Sequence, residues 1–568
     1  MANSDNMAAD QERLRAALDR LIRLERPRYR RLWAYFKNPM RVCGTAAASS
    51  QGGAHRPYRQ AQEWGLPSRI TGLCSGGEPF AESDTFVAAR KEVVIENDIG
   101  WRVDTLVDYL FGKPLVISSA APDPRRREVI GRLLRMILAR SGGIQFLQQL
   151  ALIGSVYGFV DVLVKAVGSE ERGLKSEGCG MSALGEAPMA GASSGEKFKS
   201  SPDGYTTSET RAEAGPAHTE PPLLAEGEAM AAGGGDNGRI SGADIGADAL
   251  LQRVARMIRL EIVEPARALP LLSCEDYRVV EAYGQVWEIQ KAEGGRQKAE
   301  GSNWWNKLRS FLAPSDAPRR SNEQTQVVEL IMLDRWVRFE DGKVVAEGGN
   351  SLGEVPVVHI QNTAAAFEYA GASDVEPLIP LQDELNTRLS DRANRITLQS
   401  FKMYLAKGIE AFIEHPVSPG RMWMTDNEKA AIQEFGGDSN CPSEESHISD
   451  LREALDKTSG VTPIAAGAIK NRIGRLTSAA ALRITLLALL SKTDKKRTSY
   501  GAGIERLCEL ALKWLDVAGV FATTPEERRI ELNWPSPLPE NEIEKLQEAE
   551  AKLRLGVDRA VVLRELGY

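Results

Sequence analysis

The sequence predicts an α+β protein. Apolar residues recur at helical spacing in several segments, beginning with Ala9–Leu24, where Leu14, Leu18 and Leu21 mark one face. Short segments rich in Val, Ile and aromatic residues, separated by turns, indicate an antiparallel sheet between about residues 277 and 346. Single apolar strands stand beside long helices elsewhere in the chain. Helices and strands are therefore both expected, in one mixed architecture.

The first third of the chain is mainly helical. After the opening helix and the basic-aromatic segment "RPRYRRLWAYFKNP" (Arg26–Pro39), the stretch "EVVIEN" predicts a strand or extended segment. The helices predicted next are Asn97–Phe111, Arg125–Arg140 and Gly143–Ser155. A strand follows at Gly158–Val167.

The middle of the chain predicts mostly strands, because its apolar segments are short and bounded by turn residues. The expected strands are Tyr277–Tyr283, Gln285–Gln290, Val327–Leu333, Trp336–Glu340, Lys343–Ala346 and Val355–Asn362. Two interruptions break this part of the chain. Residues 168–247 are rich in Gly, Ala, Ser and Glu, which predicts a disordered or long surface insertion. Residues 293–322 predict a second loop insertion.

The last third returns to helices. Ser373 is a predicted N-cap, with Asp374 and Glu376 near the start of a long helix that reaches Phe401. Later segments predict a compact β-like patch with a Pro419–Gly420 turn, a short acidic helix, two long helices and two short C-terminal helices. The acidic helix is Glu444–Lys457. The first long helix is capped by Thr477 or Ser478 and runs toward Lys496, and the second is Ser499–Val517.

Composition excludes several classes of protein. The chain has 568 residues, 26% of them charged, and a formal net charge of -7, which argues against a surface coated in nucleic acid but allows a local basic patch. Neither a run of about 18 apolar residues nor a signal peptide is evident. The six cysteines form no CxxC pair, so reduced thiols in an intracellular setting are expected.

The motifs that could carry chemistry are weak. "GSEERGLKS" (Gly168–Ser176) fails as a phosphate loop, because Leu174 separates the second glycine from the lysine. "GLCSG" places Cys74 in the pattern of a nucleophile elbow, but no histidine occurs in a recognisable partner motif. His359 is predicted to be a satisfied core or sheet-edge residue. We therefore expect no catalytic residues, no metal site and no cofactor.

One segment has an unusual charge pattern. "GVTPIAAGAIKNRIGRLTSAAALRI" (Gly460–Ile484) contains no acidic residue, although the whole chain is acidic. Its glycines predict a flexible loop that can approach a partner closely, and its second half predicts a helix that packs on other helices. The simplest interpretation of this charge pattern is a solvent-exposed loop that binds no partner. The alternative is a basic loop that meets phosphates, with Lys470, Arg472 and Arg475 nearest to DNA.

Several segments, in this order along the chain, together resemble the portal (head-tail connector) proteins of tailed bacteriophages. They are "RPRYRRLWAYFKNP", "RKEVVIENDIGWRVDTLVDYLFGKPLVIS", "VPVVHIQNTAAAFEYAGASDVEPLIPLQDELNTRLSDRANRITLQSF", "SGVTPIAAGAIKNRIGRLTSAAALRI" and "LNWPSPLPENEIEKLQEAEAKLRLGVDRAVVLRELGY". No single motif is diagnostic, and the resemblance rests on their collinearity.

The resemblance implies a portal-like subunit with an α/β wing, long stem helices, a small β-containing clip, a channel helix and a C-terminal helical crown. The implied bounds are 1–372 for the wing, 373–401 for the first stem helix, 402–443 for the clip, 444–459 for the second stem helix, 460–476 for the channel loop, 477–534 for the channel helix and C-terminal wing, and 535–568 for the crown.

The resemblance also implies a function without catalysis. Portal proteins form a ring, usually of twelve copies, at one capsid vertex, and double-stranded DNA is packaged and ejected through it without sequence specificity. The implied partners are the terminase large subunit, head-tail adaptor proteins and the major capsid or scaffolding protein, with assembly in the host bacterial cytoplasm and no membrane. Arg421, Trp423 and Lys429 lie in the implied clip, where these partners would dock.

Two alternatives remain open at the level of sequence. The first is a non-enzymatic intracellular scaffold or capsid-associated adaptor that oligomerises through its helices without conducting DNA. Ring closure with the basic loop pointing inward would distinguish a portal from that scaffold. The second alternative is a cysteine hydrolase built on Cys74, which predicts that Cys74→Ala abolishes an activity.

Overall fold

The computed structural model describes most of the predicted elements. The described residues are 12–42, 58–72, 92–166, 242–290, 324–399, 403–407, 429, 431–435, 441–467, 483–538 and 542–565. The chain divides into two compact units, one formed by Met1–Val167 with Leu250–Tyr568 and the other by Gly168–Ala249. Most of the second unit, including nearly all of the predicted insertion 168–247, lies outside the described residues.

Helices account for much of the described chain. They are α1 (12–20), α2 (Arg26–Lys37), α3 (Ser68–Thr71), α4 (Asp98–Phe111), α5 (Pro124–Arg140), α6 (Ile144–Tyr157), α7 (Gly242–Ala255), α8 (Ile379–Gln399), α9 (Pro442–Ser459), α10 (Leu487–Val517), α11 (Glu542–Arg554) and α12 (Arg559–Glu565). A π-helical turn at Leu21–Glu25 joins the first two.

The described strands pair only in antiparallel fashion. They are β1 (Met40–Val42), β2 (Tyr58–Gln60), β3 (Val116–Ser119), β4 (Phe159–Ala166), β5 (Ile258–Val263), β6 (Ala268–Leu272), β7 (Val280–Gln290), β8 (Gln324–Met332), β9 (Arg335–Glu340), β10 (Lys343–Gly349), β11 (Val357–Gln361), β12 (Met403–Lys407), β13 (Ala431–Phe435) and β14 (Ile530–Asn533). Their order is β10-β9-β8-β7-β6 in one sheet and β11-β4-β5 in another, with β1-β2, β12-β13 and β14-β3 as separate pairs. Helices and sheets together confirm the α+β class.

The three-stranded sheet lies at the centre of the larger unit. Its middle strand β4 is buried along most of its length, as expected from its apolar sequence. Helix α10 packs on β4 and β11 and also contacts β14 and α4. Because β14 pairs with β3, the C-terminal part of the chain closes against its first third. This arrangement brings the segments on either side of the predicted basic loop into contact with elements far away in sequence.

The structure corrects several sequence predictions. The basic-aromatic segment is helix α2, for which no element was predicted. The strands predicted at 277–283 and 285–290 form one strand, β7, which pairs with β8 without interruption from Ala282 to Gln290. The two helices predicted to meet near residues 496–499 form the single helix α10, because the sequence between them contains no helix breaker. Helix α7 begins at Gly242, inside the segment predicted to be an insertion.

Candidate nucleic-acid interface

Most of the predicted site residues cannot be placed. Outside the described residues lie Lys470, Arg472 and Arg475 of the basic loop, Arg421 and Trp423 of the predicted docking region, and Cys74 of the elbow-like motif. Lys429 is described and lies exposed in a turn between β12 and β13. The structure describes the chain segments that come directly before and after the basic residues, up to Gly467 and from residue 483 onward.

The segment that enters the basic loop begins at the end of α9. Gly460 follows that helix in the left-handed conformation (φ 71°), and its N–H donates to the Asp456 carbonyl. Val461 is fully buried, and a 3-10 turn at Pro463–Ala466 leads to Gly467, the last described residue before the loop. The entry is thus anchored by Val461, with Ala465 packed against the same cluster, only a few residues before the basic residues begin.

The segment that leaves the loop starts with a short helical turn at 483–485 and continues into α10. Leu486 and Leu489 are buried against Val461 and against Leu106 of α4. Both ends of the loop therefore meet in one apolar cluster on α4.

A buried charged cluster connects the start of α10 to the end of α9. Lys492 and Lys496 of α10 both bind Asp374, with Nζ–O distances of 2.8 and 2.5 Å. Lys496 is 1% exposed and also donates to Ser155 Oγ of α6. Lys492 donates to the carbonyl of Ser459, the last residue of α9. We call Asp374, Lys492 and Lys496 the lysine–aspartate cluster.

The electrostatics of this cluster favour the ionised pair. Burial alone would raise the pKa of Asp374, but the two ammonium groups outweigh it and hold that pKa well below its ordinary range. Burial lowers the pKa of Lys496, and the Asp374 carboxylate opposes this effect. The cluster also accounts for Lys492, one of the five cations between residues 458 and 493, which is used inside the protein and does not face a partner.

Ser373 was predicted to be the N-cap, but the N-cap position of the helical turn is Val375, and Ser373 lies two residues before it. Ser373 Oγ accepts from the N–H groups of Val375 and Glu376 at the start of the helical turn that leads into α8. Its neighbour Asp374 was predicted to lie near the helix start, and it does, but its carboxylate points into the buried cluster. The side chain of Asn362 donates to Asp374 Oδ2 and accepts from the Tyr500 hydroxyl, which extends the polar network.

A second polar network runs along α8. Its side chains Gln382, Asn386, Ser390 and Asn394 recur every four residues and bind the backbone of residues 92–98. Glu96, for example, donates its N–H to Asn386 Oδ1 at 3.1 Å, and its carbonyl accepts from Gln382 Nε2. Four helical residues rise about 6.0 Å and two extended residues about 6.6–6.8 Å, so the two repeats match.

This polar ladder explains why "EVVIEN" is not a strand. Side-chain amides and hydroxyls of a helix take the place of a neighbouring strand, so the backbone groups of the segment are satisfied without a sheet. The ladder connects the segment before α4 to α8, and α4 in turn carries Leu106 of the apolar cluster at the ends of the basic loop. The spacing i, i+4, i+8, i+12 of these polar residues can be seen in the sequence, but the sequence does not show which backbone segment they bind.

Replacing Asn386 tests the ladder. Asn386→Ala removes a fully buried amide that also donates to Gln62 Oε1, and leaves the Glu96 N–H without its acceptor. We expect the free energy of unfolding to fall by about 1–3 kcal/mol, the cost of buried unsatisfied polar groups. Chemical denaturation would measure it, with Thr397→Ala, at an exposed position of the same helix, as control. That control should stay within about 0.5 kcal/mol, and an equal effect of both changes would contradict the ladder.

A third buried contact joins α4 to α9. Arg102 is 2% exposed, binds Asp456 near the end of α9 at 2.5 Å, and donates to the Asp98 carbonyl in its own helix. Its guanidinium also lies over the ring of Trp101, 4.2 Å from the centroid. Helix α4 therefore contacts the loop entry both through its apolar cluster and through this ion pair.

The histidine prediction is confirmed. His359 lies on β11 opposite Asp161 of β4, with 2.6 Å between Nδ1 and Oδ1, and its Nε2–H donates to the Tyr369 carbonyl at 2.8 Å. In the described segments, no three or more His, Cys, Asp and Glu side chains are arranged to hold a metal ion. None of the helices within the described ranges combines the length and apolarity needed to cross a bilayer.

Comparison with known proteins finds one family model that matches the C-terminal part of the chain. Residues 320–563 match the family model described as "Phage portal protein, SPP1 Gp6-like". A search of curated proteins returned no match. Among solved structures, a chain from the "Virion of native gene transfer agent (GTA) particle" is similar, with 11% sequence identity and a TM-score of 0.37, over 80% of this chain and 84% of that chain.

The family match covers part of the resemblance expected from the sequence. It includes the segments from Val355 onward, and with them the basic loop, α8, α9 and α10. The resemblance is confirmed there. The N-terminal segments at 26–39 and 90–118 lie outside the match, and their assignment to a portal wing stays a prediction.

Proposed function

We infer from the match of residues 320–563 to the phage portal family model that this chain is a subunit of a portal ring at one vertex of a phage-like capsid. Double-stranded DNA would pass through the ring during packaging and ejection. The family is a structural one, generally without enzymatic activity, which fits a role in conducting and holding DNA. The match to the family model is the observation that carries this proposal.

The proposed subdivision follows the order of the elements. Helices α8 and α9 would be the stem, and they pack against each other. Between them in sequence, β12 and β13 form an antiparallel pair in the proposed clip, where Arg421, Trp423 and Lys429 would meet the terminase and the adaptor proteins. The basic loop and the start of α10 would line the channel, and α11 and α12 would form the crown.

The basic loop supports contact with DNA for a physical reason. Lys470, Arg472 and Arg475 are three of the four cations in Gly460–Ile484, a stretch without acidic residues, and the described segments that flank these three residues pack on α4. Repeated around a ring, such loops form a positive girdle that attracts phosphates regardless of base sequence. A few cations per copy would hold DNA weakly enough for it to slide.

The salt dependence of DNA binding tests this assignment. A triple variant, Lys470→Gln with Arg472→Gln and Arg475→Gln, should bind duplex DNA less tightly. The slope of log K against log salt should become shallower by about 0.9 for each lost phosphate contact. Fluorescence anisotropy of a labelled linear duplex, measured over a range of salt concentrations, would give both slopes.

A matched control separates the loop from overall charge. Arg125, Arg140 and Arg529 are exposed cations outside the proposed channel, and replacing all three with glutamine changes the net charge by the same amount. We expect this variant to keep the slope of the unmodified protein. Equal slopes for all three proteins would contradict the assignment of the loop to DNA.

A further inference from the structure

One large aromatic side chain is displayed in an unusual way. Phe367 is 87% exposed, in the loop that leads from β11 to the start of α8. Its backbone has φ 64°, the left-handed region that bulky residues rarely occupy. The chain thus holds an apolar ring in water and uses a strained backbone to do so, where glycine or asparagine would relieve the strain.

The loop that carries Phe367 is firmly held at its base. The Ala372 N–H donates to the Thr363 carbonyl at 2.9 Å, and Asn362 Nδ2 donates to the Ala372 carbonyl at 3.1 Å. These bonds close the loop beside the lysine–aspartate cluster, since Asn362 also binds Asp374.

A second set of contacts holds the loop two residues after Phe367. The ring of Tyr369 stacks on His359 with 3.8 Å between centroids, and its carbonyl accepts from His359 Nε2 and Gln361 Nε2. The tip is therefore supported on both sides, and the exposure of Phe367 is a property of a fixed loop.

The chemistry of the tip indicates what it would contact. The tip sequence is Ala364-Ala365-Ala366-Phe367, and the first, third and fourth of these residues are exposed. These four residues carry no charge, and the exposed residue that follows them, Glu368, is acidic, so the tip repels phosphates and suits an apolar pocket on a protein. Exposed, rigidly presented aromatic residues are typical of the anchors that dominate protein interfaces.

We propose that Phe367 is an assembly anchor that inserts into an apolar pocket on a second copy of this chain. The inference rests on the proposed ring, because a closed ring needs the same contact once per subunit. In such a ring the contact is heterologous, so the receiving pocket lies on a different part of the neighbouring copy. A loop that projects from the base of the proposed stem is well placed to present one anchor per subunit.

Assembly of Phe367 variants of the full-length protein tests the proposal. Phe367→Asn removes the ring and tolerates the left-handed backbone, so the monomer should be as stable as the unmodified protein or more so. The protein concentration at half-assembly, measured by sedimentation velocity, should rise at least about tenfold. Phe367→Tyr keeps the aromatic anchor and should assemble within about threefold of the unmodified protein, a shift well below that expected for the asparagine variant.

The outcomes separate this proposal from the proposed function. If the unmodified chain forms rings and Phe367→Asn forms them equally well, the anchor is refuted and the portal ring stands. If the unmodified chain forms no ring at any concentration, both are refuted.

Photo-crosslinking identifies the molecule that Phe367 contacts. With p-benzoylphenylalanine at position 367, we expect crosslinks to a second copy, outside its own 362–373 segment. Crosslinks to that same segment, or only to another protein, would overturn the proposal.

Discussion

Replacing Asp374 with asparagine is expected to lower the free energy of unfolding by about 3–5 kcal/mol, the usual cost of breaking a buried ion pair from one side. The reason is that Lys496, almost completely buried, would lose its countercharge and keep only neutral partners, the asparagine amide and Ser155 Oγ. Lys492 would lose the same carboxylate. Urea unfolding at one fixed protein concentration would measure the loss.

A neighbouring ion pair provides the control. Glu376, two residues further along the chain, binds Arg28, but its side chain is 47% exposed. Exposed pairs contribute about 0–1 kcal/mol, so Glu376→Gln should have a small effect. If the two substitutions cost the same, the lysine–aspartate cluster is not the stabilising junction described above.

The pH dependence of the same variant follows from its charges. Because burial lowers the pKa of Lys496 in the folded protein, unfolded chains bind more protons than folded ones in the pH range between that lowered pKa and the ordinary lysine pKa of 10.5. Without Asp374 this difference grows, so the deficit of the asparagine variant should shrink as the pH rises toward that value. Unfolding curves at neutral and alkaline pH would show it, and a deficit that widens with pH would contradict the buried charge.

Replacing Gly158 with alanine is expected to cost about 2–5 kcal/mol, from two separate causes. Gly158 has φ 94°, which strains any residue with a Cβ. An added Cβ would also lie 2.2 Å from the carbonyl oxygen of Gly371, a backbone atom that cannot swing aside. Gly158 ends α6 just before β4, so the close approach of these two glycines sets the loop of Phe367 against the central sheet.

Gly353 separates the two causes. It has φ 69°, yet no atom lies within 4 Å of an added Cβ. Gly353→Ala should therefore show only the backbone strain, about 1–2 kcal/mol. Thermal or chemical unfolding of both variants gives the difference, which is the cost of the clash. Equal losses would mean that the contact with Gly371 is unimportant.

Local patterns predicted much of the fold. The helices α4, α5 and α6 and the strand β4 follow from apolar periodicity and capping chemistry, and the structure has them within a few residues of the predicted bounds. The errors occurred where contacts with residues distant in sequence determine the local structure. Gly284 does not end a strand, because Leu330 pairs with it across the sheet. For residues 92–97, of the two predicted alternatives the structure has the extended segment, held by helix α8 and not by a neighbouring strand.

The charge pattern of the sequence predicted the basic loop as the candidate site, but it did not predict the lysine–aspartate cluster beside it. The absence of acidic residues between 460 and 484 pointed to the basic loop directly. The lysine–aspartate cluster joins residues more than a hundred positions apart, and nothing in the local sequence of Asp374 distinguishes a buried carboxylate from a helix-start residue. Such pairs depend on tertiary contacts, which one sequence does not encode in a readable pattern.

The central claim is that copies of this chain close into a ring with the basic loop directed at the hole. Electron cryo-microscopy of the purified full-length protein tests it most directly. We predict closed rings with a central opening wide enough for a duplex, on the order of 20 Å or more, and with residues 468–482 nearest the ring axis. Closed rings that carry this segment on their outer surface, or filaments and dimers without a central hole, would contradict the claim.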